Sequence, residues 1–237
     1  KQSGFVRNMG QICDQFGKRN AHVVAGFFSN NYDLLITESG FSHQLRYFNG
    51  QETQYQRIDV SFISDAKSTQ HIDYLFPFEE AQHFIMSGMS GPKEIRDVHQ
   101  YGTIYWRNVW PNIDVEFTTV ENAEGVSIPK INFLLKNASD LPQIRMGYAG
   151  QEKLVFGSDD LKFDILTSLG IITETIPYSF VVEDDKHREV SVRYHMLKPN
   201  QIGFTADDTL LKSSSPLVID PIPSPSINWS TYYGGVS

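Results

Sequence analysis

Apolar and polar residues alternate one for one in segment after segment of this chain, and that period commits it to strands with one wet face. Across residues 57–62, Ile58, Val60 and Phe62 fall on one side, and Arg57, Asp59 and Ser61 on the other. Ile113-Asp114-Val115-Glu116-Phe117 repeats the device with two carboxylates outward, and Val190 to Met196 repeats it again. A helix would scatter such a pattern around its circumference, whereas a strand sorts it onto two faces. One buried and one solvated face is what antiparallel sheets present. Turn-forming runs punctuate the segments, among them Ser29-Asn30-Asn31, Glu38-Ser39-Gly40 and Asn49-Gly50. Read this way, the chain holds about 14 to 17 strands. Its only helix-like stretch, Glu79 to Phe84, is too short to sustain a helix. The expected fold is all-β: a large antiparallel β-sandwich with little helix, either one elongated sandwich or two consecutive ones with a sub-boundary near residue 142.

At 237 residues the chain is long enough for one large β domain or two small ones. Its 16 Phe and 11 Tyr suit pleated, half-buried surfaces. No run approaches the ~18 apolar residues that span a bilayer. A net charge of −8, with no basic cluster longer than Lys18-Arg19, argues against a nucleic-acid surface. A single cysteine, Cys13, excludes an intramolecular disulfide, and so low a thiol count leans towards export. No histidine or basic residue closely precedes Cys13 to activate it, which favours a small half-buried residue over a reactive thiol.

The end of the chain reads differently from the rest. Pro221, Pro223 and Pro225 alternate within a Pro/Ser-rich stretch, which favours a stiff extended connection. Trp229 to Tyr233 then reads as a strand, followed by a Gly234-Gly235 turn. Residues 1–221 are therefore expected to form the β-sandwich module and 222–228 a linker. Residues 229–237 are expected to be the first strand of a downstream β-repeat domain.

Several spaced motifs together resemble a known family, the N-terminal β domain (DUF7948-like) of large Bacteroidota surface proteins that carry SBBP repeats. The carriers are Phe5-Val6-Arg7-Asn8-Met9-Gly10-Gln11, Ser39-Gly40-Phe41-Ser42, residues 57–62 and Tyr105 to Asp114. They continue with Asp140 to Arg145, Gly170 with Glu174-Thr175-Ile176-Pro177-Tyr178, Leu217 to Pro221, and Ser230 to Gly235. The set spans nearly the whole chain in order. It departs from the family at Gln82-His83-Phe84, where an Asn-Tyr-Tyr-like run is usual, and at Asn137-Ala138-Ser139, where Pro-Gly is common. The resemblance implies export by the type IX route, display at the cell surface, and no catalytic residues. It also implies that Asp208-Thr209-Leu210 is an O-glycosylation acceptor at Thr209.

Candidate chemistry is sparse. Asp114 and Glu116 share one strand face about 7 Å apart, a spacing open to an acid/base pair or to a solvated outer face. Tyr101, Tyr105, Trp106 and Trp110 cluster around Asn108 and Pro111, read either as a sugar-stacking platform or as core and corner packing. The acids Glu183, Asp184 and Asp185 offer oxygen ligands for weak Ca²⁺ binding, without EF-hand spacing. His71-Ile72-Asp73 supplies two ligands where a metal site needs three or four. No Gly-x-Ser-x-Gly elbow is present, and no cofactor or metal is expected beyond that weak calcium. The expected function is a non-enzymatic structural or interaction module of a secreted cell-surface protein, adhesin- or gliding-associated. Its expected partners are the downstream β-repeat domains, outer-membrane secretion or motility proteins, and surface glycans. The alternative is a carbohydrate-binding or carbohydrate-processing sandwich using Tyr101, Trp106, Trp110, Asp114 and Glu116.

Overall fold

Alternation becomes burial in the structure, a computed structural model that describes residues 3–13, 18–64, 71–88, 91–122, 125–183 and 186–227. Ile58 and Val60 are buried, as are Ile113, Val115 and Phe117, while the residues between them face outward. The first strands are β1 (Phe5–Arg7), β2 (Val23–Phe28), β3 (Tyr32–Thr37), β4 (Gly40–Phe48) and β5 (Thr53–Phe62). Next come β6 (His71–Gly88), β7 (Gly91–Trp110), β8 (Ile113–Glu121) and β9 (Ser127–Leu135). The remainder are β10 (Met146–Ala149), β11 (Lys153–Phe156), β12 (Lys162–Leu166), β13 (Gly170–Glu183), β14 (Lys186–Glu189), β15 (Arg193–Lys198), β16 (Gln201–Thr205) and β17 (Leu217–Ile227). Two short 3-10 turns, Ala138–Gln143 and Leu210–Lys212, complete the described elements. The helix-like stretch from Glu79 to Phe84 lies inside β6.

All the strand pairings are antiparallel, and they form one sheet folded onto itself. One layer runs β15-β16-β10-β5-β4-β3-β2-β1. The other runs β7-β8-β9-β17-β13-β12-β11, with β6 along the far edge of β7. Three-residue β1 pairs with both β2 and β7 and so joins the layers. Aromatic rings from the two inner faces interlock: Phe41 lies 5.9 Å from Phe117, Phe62 5.6 Å from Trp106, and Tyr148 5.6 Å from Phe163. The main core cluster includes residues from Phe5 to Ile219, so segments before and after Pro142 share one interior.

Residues 222–227 differ from the expected linker: they are the second half of β17 and pair with Gly170–Thr175 of β13. The reason is the spacing of the prolines. Pro216 O accepts a hydrogen bond from Val182 N of β13, so even-numbered residues of β17 turn their backbone polar groups to β13 and odd-numbered ones to the opposite edge. Pro221, Pro223 and Pro225 all lack an N–H on that opposite edge, where no ladder bond is lost. Residues 228–237, expected to belong to a linker and a new strand, lie outside the described residues.

Two features position the candidate site. The β6–β7 hairpin runs past the main core as an arm, where Val6, Ile95 and Val98 form a second small cluster with Phe84 and Met86. Strand β3 is buried on both faces: Tyr32, Leu34 and Ile36 face the core, while Asp33, Leu35 and Thr37 face away from it and are covered all the same. The tight β3–β4 turn requires Gly40, whose φ of +152° suits only glycine and whose Cβ would collide with the carbonyl of Val60. Gly40→Ala is expected to destabilise the fold by about 1–3 kcal/mol from backbone strain alone. Chemical denaturation checks this, and an unchanged midpoint would show that the turn relaxes.

Candidate functional site

The residues that cover the outer face of β3 build a groove of about 970 Å³. Its floor follows from strand register: Phe28 of β2 opposes Asp33 of β3, which opposes Gln44 of β4, which opposes Arg57 of β5. In the next row, Arg46 of β4 opposes Tyr55 of β5. Gly26 carries no side chain, and the Phe28 ring lies across the space a Cβ would need. The far wall comes from the arm, with Gln82 and Phe84 of β6 and Gln100 of β7.

The charges of the floor are paired within the sheet, although Arg46 Nε is buried without a hydrogen-bond partner among the described residues. Arg46 donates to Asp33 Oδ1 at 2.8 Å and to the Ser29 carbonyl, and Gln44 Nε2 donates to Asp33 Oδ2 at 3.0 Å. Burial pushes the Asp33 carboxyl up, against the opposing pull of the Arg46 guanidinium and the Gln44 amide. Arg57 Nε donates to Asp59 at 2.6 Å. Among the described residues, the open polar groups of the lining include Gln44 Oε1, Gln100 Nε2 (its Oε1 accepts from Gly4 N at 3.0 Å) and the Gln82 amide. Tyr55 and Phe28, 61% and 40% exposed, present ring surface beside them.

A second cluster lies between the layers. His43 Nε2 donates to Glu174 Oε1 at 3.1 Å, bridging β4 to β13, and the Tyr32 hydroxyl meets His43 Nδ1 at 2.8 Å. The Tyr148 hydroxyl donates to both Glu174 oxygens at 3.3 Å. The Tyr194 hydroxyl is buried beside the same carboxylate, outside ideal hydrogen-bond geometry yet close enough for both its charge and its acceptor oxygens to act on the phenol. Burial first, and Glu174 second, push the phenols of Tyr32, Tyr148 and Tyr194 well above their ordinary value. All five side chains are sealed from solvent. The cluster is therefore an interior brace rather than a place where a substrate meets a proton donor.

The residues singled out in sequence land elsewhere. Trp106 and Trp110 are 2% and 1% exposed, packed on Phe62 and Phe133, so the sugar-stacking reading of these rings gives way to core packing. Trp110 Nε1 donates to the Ile63 carbonyl at 2.8 Å. Tyr101 is half-buried against Tyr74, ring centroids 5.2 Å apart. Asp114 accepts from the Tyr105 hydroxyl at 3.0 Å and from Asn108 N at 2.7 Å, and Glu116 accepts from Asn132 at 2.6 Å. Burial, then Asp114, pushes the Tyr105 phenol up to about 12. Both carboxylates thus serve as fixed acceptors tying β8 to β7 and β9. Thr209 is exposed at the start of the second 3-10 turn, where Leu210 anchors in the core. Glu183 pairs with Arg188 at 2.9 Å and accepts from Ser215; Arg188 holds its carboxyl below the usual range. Asp184 and Asp185 lie outside the described residues. Among the described residues no group of three or more His, Cys, Asp and Glu side chains converges as a metal site, and no helix is long and apolar enough to cross a membrane.

A family model described as "Domain of unknown function (DUF7948)" matches residues 5–222. No curated protein and no solved structure matches the chain.

The three buried phenols give a signed pH prediction. Their raised values mean the folded state keeps protons that the unfolded state releases above the ordinary value of 10.0. The stabilisation is complete below pH 10 and declines as pH rises beyond it, by roughly 1.4 kcal/mol per pH unit for each phenol. Urea unfolding at stepped alkaline pH measures the slope, and Tyr148→Phe is expected to make it shallower by one phenol's share. A slope unaffected by that substitution would mean Tyr148 ionises freely in the folded protein.

Proposed function

The chain belongs to the family described as a domain of unknown function (DUF7948), and from that premise we propose that it is a non-enzymatic structural and interaction module of a large secreted cell-surface protein. In this reading the type IX route exports it, and it serves adhesion or gliding in a Bacteroidota host. Its partners are downstream β-repeat domains of the same polypeptide and outer-membrane secretion or motility proteins. The observation that carries the interaction role is the arm. Beyond the main core, β6 exposes Phe76 and Ile85, each 72% accessible. Apolar side chains so far in the open are suited to meeting another surface.

Phe76 supports the same reading through its backbone. Its φ of +55° is a left-handed conformation that costs a bulky residue about 1–3 kcal/mol. Opposite it, Gly102 leaves the space that a side chain would fill, with the Phe76 Cβ 3.4 Å from the position of a Gly102 Cβ. A strained backbone carrying an exposed ring is a local cost that a contact outside the domain would offset.

The test uses the full-length protein in its producing cells. Phe76→Gly combined with Ile85→Ser is expected to leave stability unchanged or slightly raised, and surface display intact, while cell attachment or gliding falls severalfold. Unchanged attachment at equal display would overturn the role of the arm. Absence of the protein from the cell surface would overturn the localisation. Hydrolysis of a glycan, peptide or ester that Asp114→Asn abolishes would overturn the non-enzymatic assignment.

A further inference from the structure

We infer that the groove over β3 binds a chain of uncharged sugars. The inference rests on the reading of this domain as a binding rather than a reacting module, and it adds the class of ligand and the place where it sits.

Three properties of the groove select the ligand. Its fixed charges are already compensated, Asp33 by Arg46 and Gln44, and Arg57 by Asp59. A cationic ligand would find no free carboxylate among the described residues of the groove, and an anionic one would have to compete with Asp33 for Arg46 and with Asp59 for Arg57. Its open hydrogen-bonding capacity includes the amides of Gln44, Gln82 and Gln100, which supply donors and acceptors together with no net charge. Vicinal hydroxyls of a sugar are matched by such groups, since each hydroxyl both donates and accepts. Finally, Tyr55 and Phe28 expose ring surface in the same lining, the kind of surface that receives the C–H face of a pyranose.

The alternatives fit less well. An extended peptide bound by strand addition needs an unpaired sheet edge, whereas the groove floor is a sheet face whose strands β2 to β5 are paired on both sides. A purely apolar ligand would leave the three glutamine amides without partners, at a cost for each. A volume of about 970 Å³ stands at the upper end for small-ligand clefts, roughly 300–1,000 Å³, which suits several sugar units better than one.

The experiment titrates the purified 237-residue chain with hexaoses of glucose, mannose, xylose and N-acetylglucosamine, and with heparin and an unrelated neutral peptide as competitors. At least one hexaose is expected to bind, and Tyr55→Ala and Gln82→Ala are each expected to weaken it by about three- to tenfold. Trp106 and Asp114 lie outside the groove, so Asp114→Asn is expected to leave the affinity unchanged. Failure of every hexaose at millimolar concentration, binding indifferent to both groove substitutions, or displacement by heparin or the peptide alone would overturn the inference. The two readings fail separately: a hexaose that binds through Tyr55 and is then cut would support the groove and remove the non-enzymatic assignment. Absence of all sugar binding would remove the groove and leave the arm untouched.

Discussion

Phe62 stands where the two layers meet, its ring 5.6 Å from Trp106, 5.0 Å from Trp110 and 6.5 Å from Phe133. The rest of the fold depends on this aromatic seam. Each of these rings buries a large area with little conformational freedom to lose, and tilted contacts of this kind add to the gain from burial. Because side chains alternate, committing Phe62, Val60 and Ile58 to the seam commits Ser61, Asp59 and Arg57 to the other face. A slip of one residue would exchange the two sets entirely. The polar floor of the groove is therefore a consequence of the core, printed through the sheet from the inside.

The His43–Glu174 bridge refines what the seam alone leaves loose. Hydrophobic contact between two sheets is tolerant of sliding, whereas a carboxylate with a histidine and a tyrosine as donors has one position that satisfies it. Burying these groups carries a desolvation penalty that apolar replacements of the same shape would avoid. What the bridge supplies is registry between β4 and β13, residues 131 apart in sequence. Any arrangement that separated them would leave a buried carboxylate short of donors. Tyr32 and Tyr148 extend the same constraint to β3 and β10, which places the groove-forming layer against its partner at several points.

Much of the fold was legible because alternation is a local signal. Residues 57–62 and 113–117 declare their faces without reference to any neighbour. The groove was not legible, because Phe28, Asp33, Gln44 and Arg57 become a row only through the registers of three strand pairs. In sequence each is one polar or apolar residue at an outward position. Trp106 and Trp110 drew attention as a cluster, yet clustering cannot say whether rings face a ligand or each other. The prolines of β17 misled for a related reason: proline removes one donor, and whether that donor was needed depends on which edge carries the partner. Glu79 to Phe84 read as a weak helix, and the long pairing of β6 with β7 overrides that local preference.

The same prolines bear on how a domain like this can recognise anything. Beyond Ile219 the edge of β17 opposite β13 has no described partner strand, and an unpaired edge invites a foreign one. Pro221, Pro223 and Pro225 remove the donors that such a strand would need, and Pro221 and Pro223 are buried as well, so that edge is closed chemically and in part by cover. Along this stretch of β17 recognition by backbone pairing, which is indifferent to sequence, is removed, and the sheet faces, where side chains decide, remain. The groove over β3 and the exposed residues of the arm are both of that second kind. If the domain is the interaction module proposed above, it gains from this division, because the groups that bind are then distinct from the groups that aggregate.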